Sequence, residues 1–339
     1  MLKIAIDTLG GDNSPAVNIE GAVRALNEIS DLFIVFVGNE ADTKARLAAM
    51  RYDESRVAFV NAPDEIGCDE KPTDALKNKP NSSLFQTLEL LRTSGDVNAM
   101  VSCGSSGAIL AGAILRLGRI KGIKRPAFCP VLPTMDRRIV AICDSGANVD
   151  CDALQLKQFA VMGSLYLKCA HGVENPRVAL LNVGVEAEKG DVLRKEVYTL
   201  LQNTPSVNFV GNMESRDLLK GSYDLVVCDG FSGNVLLKST EGACLEMLKM
   251  LKCTFYKNLK NKIGALLMKK DVMATKDFMD YNNYGGAVLL GTTKTVVKSH
   301  GSSTATSVYQ SVKLAYEMEK NKLRESIAAA AQSDRENAQ

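Results

Sequence analysis

Short apolar runs alternate along this chain with longer stretches whose apolar positions recur every three or four residues. The short runs are Leu2–Asp7, Leu32–Val37, Arg56–Asn61, Val97–Ser102, Ile139–Asp144, Arg177–Asn182, Val207–Val210 and Leu225–Cys228, and each predicts a buried strand. The longer spacing predicts helices over Pro15–Glu28, Ala41–Met50, Leu84–Arg92, Ala108–Leu117 and Ala153–Lys168, with Asn81 and the serines after it placed to cap the third. Strand and helix in alternation predict an α/β protein: a mostly parallel sheet covered on both faces. No repeat of fixed period appears. The alanine-rich end after Ile327 reads as a fraying helix with a disordered tip, so 1–325 is taken as one unit, or two lobes, and 326–339 as a disordered tail.

Length and charge narrow the function classes. At about 150 residues per domain, 339 residues make roughly two lobes or one large α/β unit. Apolar residues at 46% and charged residues at 24% exclude disorder as a description of the whole chain. The charge sum is 41 − 39 = +2, too near balance for a global field that holds nucleic acid. Nine scattered cysteines and no CxxC pair argue against a disulfide framework and a zinc ribbon, and suit a reducing cytosol. The N-terminus meets Asp7 and a double glycine too soon for a signal peptide, and no run of 18 apolar residues predicts a membrane span.

The informative signal is where the small polar loops fall. DTLGGD (7–12), VSCGSSGA (101–108), CDSGANVD (143–150), NVGVEAEKG (182–190) and CDGFSGN (228–234) each follow a strand; NNYGGA (282–287) and SHGSS (299–303) come later. In open α/β sheets the crevice beyond the carboxyl ends of the strands binds ligands. Glycine lets backbone N–H groups approach an anion, and a helix starting there adds its positive end. Ser, Asn and Asp in these loops supply more donors and acceptors than turns require. The loops lack GxGxxG, GxxxxGK[ST] and GxSxG, which weakens a dinucleotide enzyme, a P-loop NTPase and an α/β-hydrolase.

Histidine is scarce, His171 and His300 being the two, so a mechanism needing a histidine pair is nearly excluded. His171 falls just past a helix end, where it can satisfy the last carbonyls. His300 stands between a strand and a serine-rich helix start. Lys189, at the crevice end of a strand, is either a solvated charge or an ammonium that holds phosphate or a developing oxyanion. Asn234 either caps a helix or donates its amide to an oxyanion. Asp7, Asp12, Asp144, Asp150 and Asp229 end strands or enter loops; they can fix those loops or bind magnesium, and no metal site is assigned.

Taken together these residues resemble the bacterial phosphate acyltransferases of phospholipid synthesis. The likeness runs from Met1 to about Arg324 and is carried by D-x-x-G-G-D at Asp7–Asp12, DxGANVDC at Asp144–Cys151, QFAVMGSLY at Gln158–Tyr166, Lys189-Gly190, CDGFSGNVLLK at Cys228–Lys238, YGGA at Tyr284–Ala287 and HGSS at His300–Ser303. Thr8-Leu9 replaces the more usual Ala-Met, Cys103 and Ser105 stand where Ala and Asn are common, and Asp191 replaces Asn. The resemblance implies a three-layer α/β/α fold similar to phosphotransacetylases and the isocitrate/isopropylmalate dehydrogenase class, acting as a homodimer. It implies transfer of a long-chain acyl group from acyl carrier protein to inorganic phosphate, with no cofactor and no acyl-enzyme. The acyl phosphate then serves phosphatidic acid synthesis, with a membrane glycerol-3-phosphate acyltransferase as a downstream partner. Lys189 and Asn234 become the catalytic candidates. Gly10, Gly11, Asp12, Ser102, Gly104, Ser105, Ser106, Gly107, Asn148, Asp150, Asp229, Ser232, Gly233, His300, Gly301 and Ser302 become the phosphate and substrate loops.

Met247–Lys270 holds seven lysines and no acidic residue. Leu248, Leu251, Phe255, Leu259 and Ile263 recur on one helical face, with Lys249, Lys257 and Lys260 roughly opposite, within a helical projection placed around 236–280. Such a helix suits an anionic membrane surface, an acidic carrier protein or a partner subunit. The first implies a cytoplasmic protein held peripherally at the inner membrane face. Three other readings stay open: a covalent acyltransferase using Cys103 or Cys151 activated by His300, a metal-dependent dehydrogenase of similar fold, and a scaffold without catalysis.

Overall fold

The computed structural model describes residues 1–67 and 69–336. The chain begins β1 (Leu2–Asp7), α1 (Ala16–Glu28), β2 (Leu32–Gly38), α2 (Glu40–Leu47), β3 (Val57–Asn61), α3 (Pro72–Asn78), α4 (Ser83–Thr93), β4 (Val97–Ser102), α5 (Ser106–Gly112). Next come β5 (Ala127–Cys129), β6 (Val131–Pro133), β7 (Ile139–Cys143), α6 (Ala153–His171), β8 (Val178–Asn182), α7 (Val192–Gln202), β9 (Phe209–Glu214), β10 (Leu225–Val227). It ends α8 (Gly230–Tyr256), α9 (Leu259–Leu267), α10 (Lys269–Met279), β11 (Ala287–Leu290), β12 (Thr295–Lys298), α11 (Ala305–Lys320), α12 (Leu323–Glu336).

The strands divide between two sheets where the sequence pattern predicts one. Seven strands lie in the order β3-β2-β1-β4-β12-β11-β5 and five in the order β6-β7-β10-β8-β9. The first sheet is parallel from β3 to β12, the second from β7 to β9, and β11, β5 and β6 pair antiparallel at their edges. Side chains alternate across the first sheet with period two: Ile4 and Ile6 of β1 enter one core cluster, Ala5 the other. α1 and α11 pack together on the Ile4 face, while Leu84, Leu88 and Ile109 of α4 and α5 cover the Ala5 face. That is the expected three-layer α/β/α arrangement. The Ile4 cluster also contains Phe159 and Tyr166 of α6 and Val178 and Leu225 of the second sheet, so one continuous core joins the two sheets.

Four local expectations are corrected. Ala108–Leu117 is not one regular helix: α5 ends at Gly112 and a π-helical turn covers Ala113–Leu117. The strand expected over Val207–Val210 is β9, starting at Phe209. The basic stretch is three helices. Asn258, in extended conformation, caps α9 by accepting from the Asn261 N–H, while the Asn261 amide donates to the Thr254 carbonyl at the end of α8. The tail is helical up to Glu336, because Leu323, Ile327 and Ala331 repeat at four-residue spacing and are buried, with α12 packed against α6. Residues 337–339 of that tail lie outside the described residues.

Candidate active site

β1, β4 and β12 are adjacent and parallel, so the loops after them open on one edge. Asp7 ends β1 and is fully buried. Its carboxylate accepts from Ser83 Oγ at 2.5 Å, Ser102 Oγ at 2.6 Å and the Leu9 N–H at 3.3 Å. Burial raises its pKa above the usual carboxylate range, and the hydroxyl donors oppose that. Asn18, on α1, donates its amide to the carbonyls of Asp7, Thr8 and Gly10. A Cβ at Gly10 would stand 2.7 Å from the Asp7 carboxylate and the Gly104 nitrogen, so only glycine lets these loops close together. The Asp12 N–H donates to the Gly301 carbonyl at 2.8 Å, tying the third loop to the first.

β7, β10 and β8 form the matching edge of the second sheet. Asp144, buried at the end of β7, accepts from the N–H groups of Phe128, Ala147 and Asn148 and from the Asn148 amide. Burial again raises its pKa, against those donors. Asn148 also donates to the Pro126 carbonyl, and its own carbonyl accepts from the Gly230 N–H at 2.7 Å. Asp229 caps α8 by accepting from the Ser232 N–H at 2.8 Å and Ser232 Oγ at 3.0 Å, and is ion-paired with Arg194.

Between the two edges lies a cavity of about 320 Å³. Asn234 faces it from the second turn of α8, opposite Gly146. Gly146 has φ +121°, and a Cβ there would sit 3.8 Å from the Asn234 side chain, so glycine keeps the space before that amide open. Lys238, one turn further along α8, and Lys298, at the end of β12, supply positive charge; Lys238 pairs with Glu241 at 2.7 Å. His300 Nδ1 lies 2.9 Å from Ser302 Oγ. Burial lowers the His300 pKa, and the Lys298 and Lys238 charges lower it further, so its imidazole is neutral near pH 7. Positive charge and a neutral amide around one space can hold an anion and stabilise a developing oxyanion.

Of the residues singled out in the sequence, Asn234, Ser106 and His300 line this cavity. Ser102, Asn148, Asp229 and Ser232 are engaged in the hydrogen bonds that shape the loops, and Gly233 packs on the Asp144 carbonyl. Asp12 and Asp150 are exposed beside them, as is Gly107, whose neighbour is Pro72. Gly11, Gly104, Ser105 and Gly301 belong to the same interlocked loops. Lys189 does not line the cavity. It is exposed on the loop after β8, held where the Asn182 amide donates to its carbonyl at 3.0 Å. Asp191, two residues on, pairs with the same Arg194 that holds Asp229. Sequence reasoning missed Lys238 and Lys298. Both stood next to named loops, one turn past Asn234 and two residues before His300, a signal that was available.

Of the aspartates weighed as magnesium ligands, Asp7, Asp144 and Asp229 spend their oxygens on protein donors and hold loops, while Asp12 and Asp150 are exposed. The thiols are poor nucleophiles. Burial pushes Cys103 up to about 11 and Cys151 up to about 12, and Cys103 Sγ donates to Asn18 Oδ1 at 3.3 Å.

A family model described as fatty acid synthesis protein matches residues 2–326. A phosphate acyltransferase of Bacillus cereus (strain B4264) is 43% identical over 317 residues, covering 94% of each chain. Among solved structures, a phosphotransacetylase from Streptococcus pyogenes superposes with a TM-score of 0.60 at 16% identity over 94% of each chain. A branched-chain phosphotransacylase from Enterococcus faecalis V583 gives 0.53 at 15%, covering 94% of this chain and 99% of that one. At such identities the structural likeness is one of fold.

Proposed function

The chain belongs to the bacterial phosphate acyltransferases, a family of fatty acid synthesis proteins, and is an acyltransferase acting with phosphate; on that premise we propose that it moves a long-chain acyl group from acyl carrier protein to inorganic phosphate. A phosphate oxygen attacks the thioester carbonyl, the tetrahedral oxyanion collapses, the C–S bond breaks, and the carrier thiolate takes a proton on release. Phosphate is already anionic near neutral pH, so no strong base is required. The enzyme has to align the reactants and stabilise the oxyanion. Asn234 donates its amide to that oxyanion, and Lys298 attracts the phosphate. Lys189 is the second catalytic candidate, on a loop outside the cavity that is tied through Asp191 and Arg194 to the start of α8.

The observation that carries this reading is the cavity in which Asn234, Lys238, Lys298 and a neutral His300 meet. The raised thiols weigh against the covalent cysteine route. The dehydrogenase reading has fold likeness alone behind it. The test is thiol release from palmitoyl-acyl carrier protein, with and without inorganic phosphate, acyl phosphate being trapped by hydroxylamine. Phosphate-dependent release is expected; release independent of phosphate, or none, overturns the reading.

The same proposal extends to a peripheral membrane site and a homodimer contact on α8–α10. Exposed apolar side chains there support it: Leu259 is 74% exposed and Leu267 82%. Lys257 and Lys260 supply positive charge nearby, Lys249 being paired with Glu246 at 2.6 Å, and no helix among the described residues is long and apolar enough to cross a membrane. Flotation with anionic vesicles at low salt is expected to carry the protein upward, and absence of binding removes the membrane site.

A further inference from the structure

A second cavity, of about 150 Å³, adjoins the first. Leu132 and Glu241 line both. Beyond them Pro133, Leu219, Cys244, Leu245, Leu248 and Met279 make most of its wall apolar, with Thr240, Lys276 and Asp280 as its polar members. α8 runs past both spaces: Asn234 and Lys238 line the first, Cys244 and Leu248 the second. Asn234 and Leu248 are separated by about 21 Å of helix at 1.5 Å per residue. The Glu241 carboxylate at the junction is matched by Lys238 at 2.7 Å, so no uncompensated charge stands between the amide and the apolar wall.

We propose that the second cavity takes a segment of the donor's fatty acyl chain while the thioester carbonyl lies beside Asn234, and that Cys244, Leu248 and Met279 set chain-length preference. The inference rests on the acyl-transfer reading above and adds the part of the site that reads the hydrocarbon. Continuity with the polar cavity selects this occupant, because the substrate that reacts at Asn234 must extend somewhere. A hydrocarbon tail asks only for apolar walls. Each buried methylene is worth about four-fold in affinity, so a wall of this kind discriminates long chains from short ones.

The experiment compares kcat/KM for butyryl-, decanoyl- and palmitoyl-acyl carrier protein in the wild type, Cys244→Trp and Leu248→Ala. Cys244→Trp fills the cavity, so palmitoyl transfer should fall at least about ten-fold while butyryl transfer changes less than about two-fold. Leu248→Ala widens it and should move the optimum toward longer chains, which keeps the test open if the tryptophan variant fails to fold. Equal effects on all donors, or an unchanged chain-length profile in both variants, would overturn the acyl-chain assignment alone. Absence of phosphate-dependent release from every donor in the wild type would overturn the acyl-transfer reading, and this inference with it.

Discussion

Arg194, in the first turn of α7, is ion-paired with Asp229, the residue that caps α8. The same guanidinium holds Asp191 at 2.9 Å, so the loop carrying Lys189 and the helix carrying Asn234 share one anchor. Arg194→Met leaves the largely buried Asp229 carboxylate with Ser232 as its remaining partner. The expected result is a loss of about 2 kcal/mol in unfolding free energy by urea titration, with a lower kcat. A variant as stable and as active as wild type would show that Ser232 suffices.

Asn234→Ala and Lys189→Ala should each lower kcat at least about 100-fold, the scale of losing one oxyanion donor. Steady-state rates at saturating phosphate and palmitoyl-acyl carrier protein decide this residue by residue. Near-normal turnover in Lys189→Ala would leave that lysine as the solvated loop charge seen in the structure.

Both histidines should titrate below the ordinary imidazole value, and each gives its own ring-proton signal in NMR. Burial pushes His171 down to about 4, with its Nε2 3.0 Å from the Tyr166 hydroxyl. His300 should titrate below its ordinary 6.5, and Lys238→Met should raise it by removing a nearby charge. For His171 the sign follows from linkage: between pH 6.5 and about 4 the unfolded chain binds a proton that the folded chain refuses. Its contribution is complete above 6.5 and is lost as pH falls through that window, up to about 3 kcal/mol. His171→Gln should show a flatter decline in urea-unfolding free energy over the same range.

Alkylation should separate the cysteines without stopping turnover. Iodoacetamide at pH 7.5 is expected to reach exposed Cys253 and spare buried Cys103, whose thiol sits near 11. An acyl group found on Cys103 or Cys151 by mass spectrometry would replace direct phosphate attack with a covalent route.

Elements of strong period were legible in the sequence, strands such as Leu32–Val37 and helices such as Ala153–Lys168 among them, whereas the short β5, β6 and β11 and the helices α3 and α7 were not read from it. Boundaries were less legible. Asn258 breaks the basic stretch because a capped helix start there satisfies backbone donors, a competition that lysine counting does not register. The tail was misjudged because Leu323, Ile327 and Ala331 are too sparse to signal burial until α6 supplies the surface they cover.

The sequence by itself determined the α/β class, the glycine loops at strand ends, the family likeness and Asn234 as a candidate, because all of these are local patterns. Tertiary structure alone decided that the strands form two sheets sharing one core, that Lys238 and Lys298 meet across the cleft, and that Lys189 lies outside it. Those facts depend on side chains far apart in the chain, Asn234 and Lys298 among them, reaching one space. Local periodicity holds no information on that distance; only the packing of α6, α8 and the two sheets fixes it.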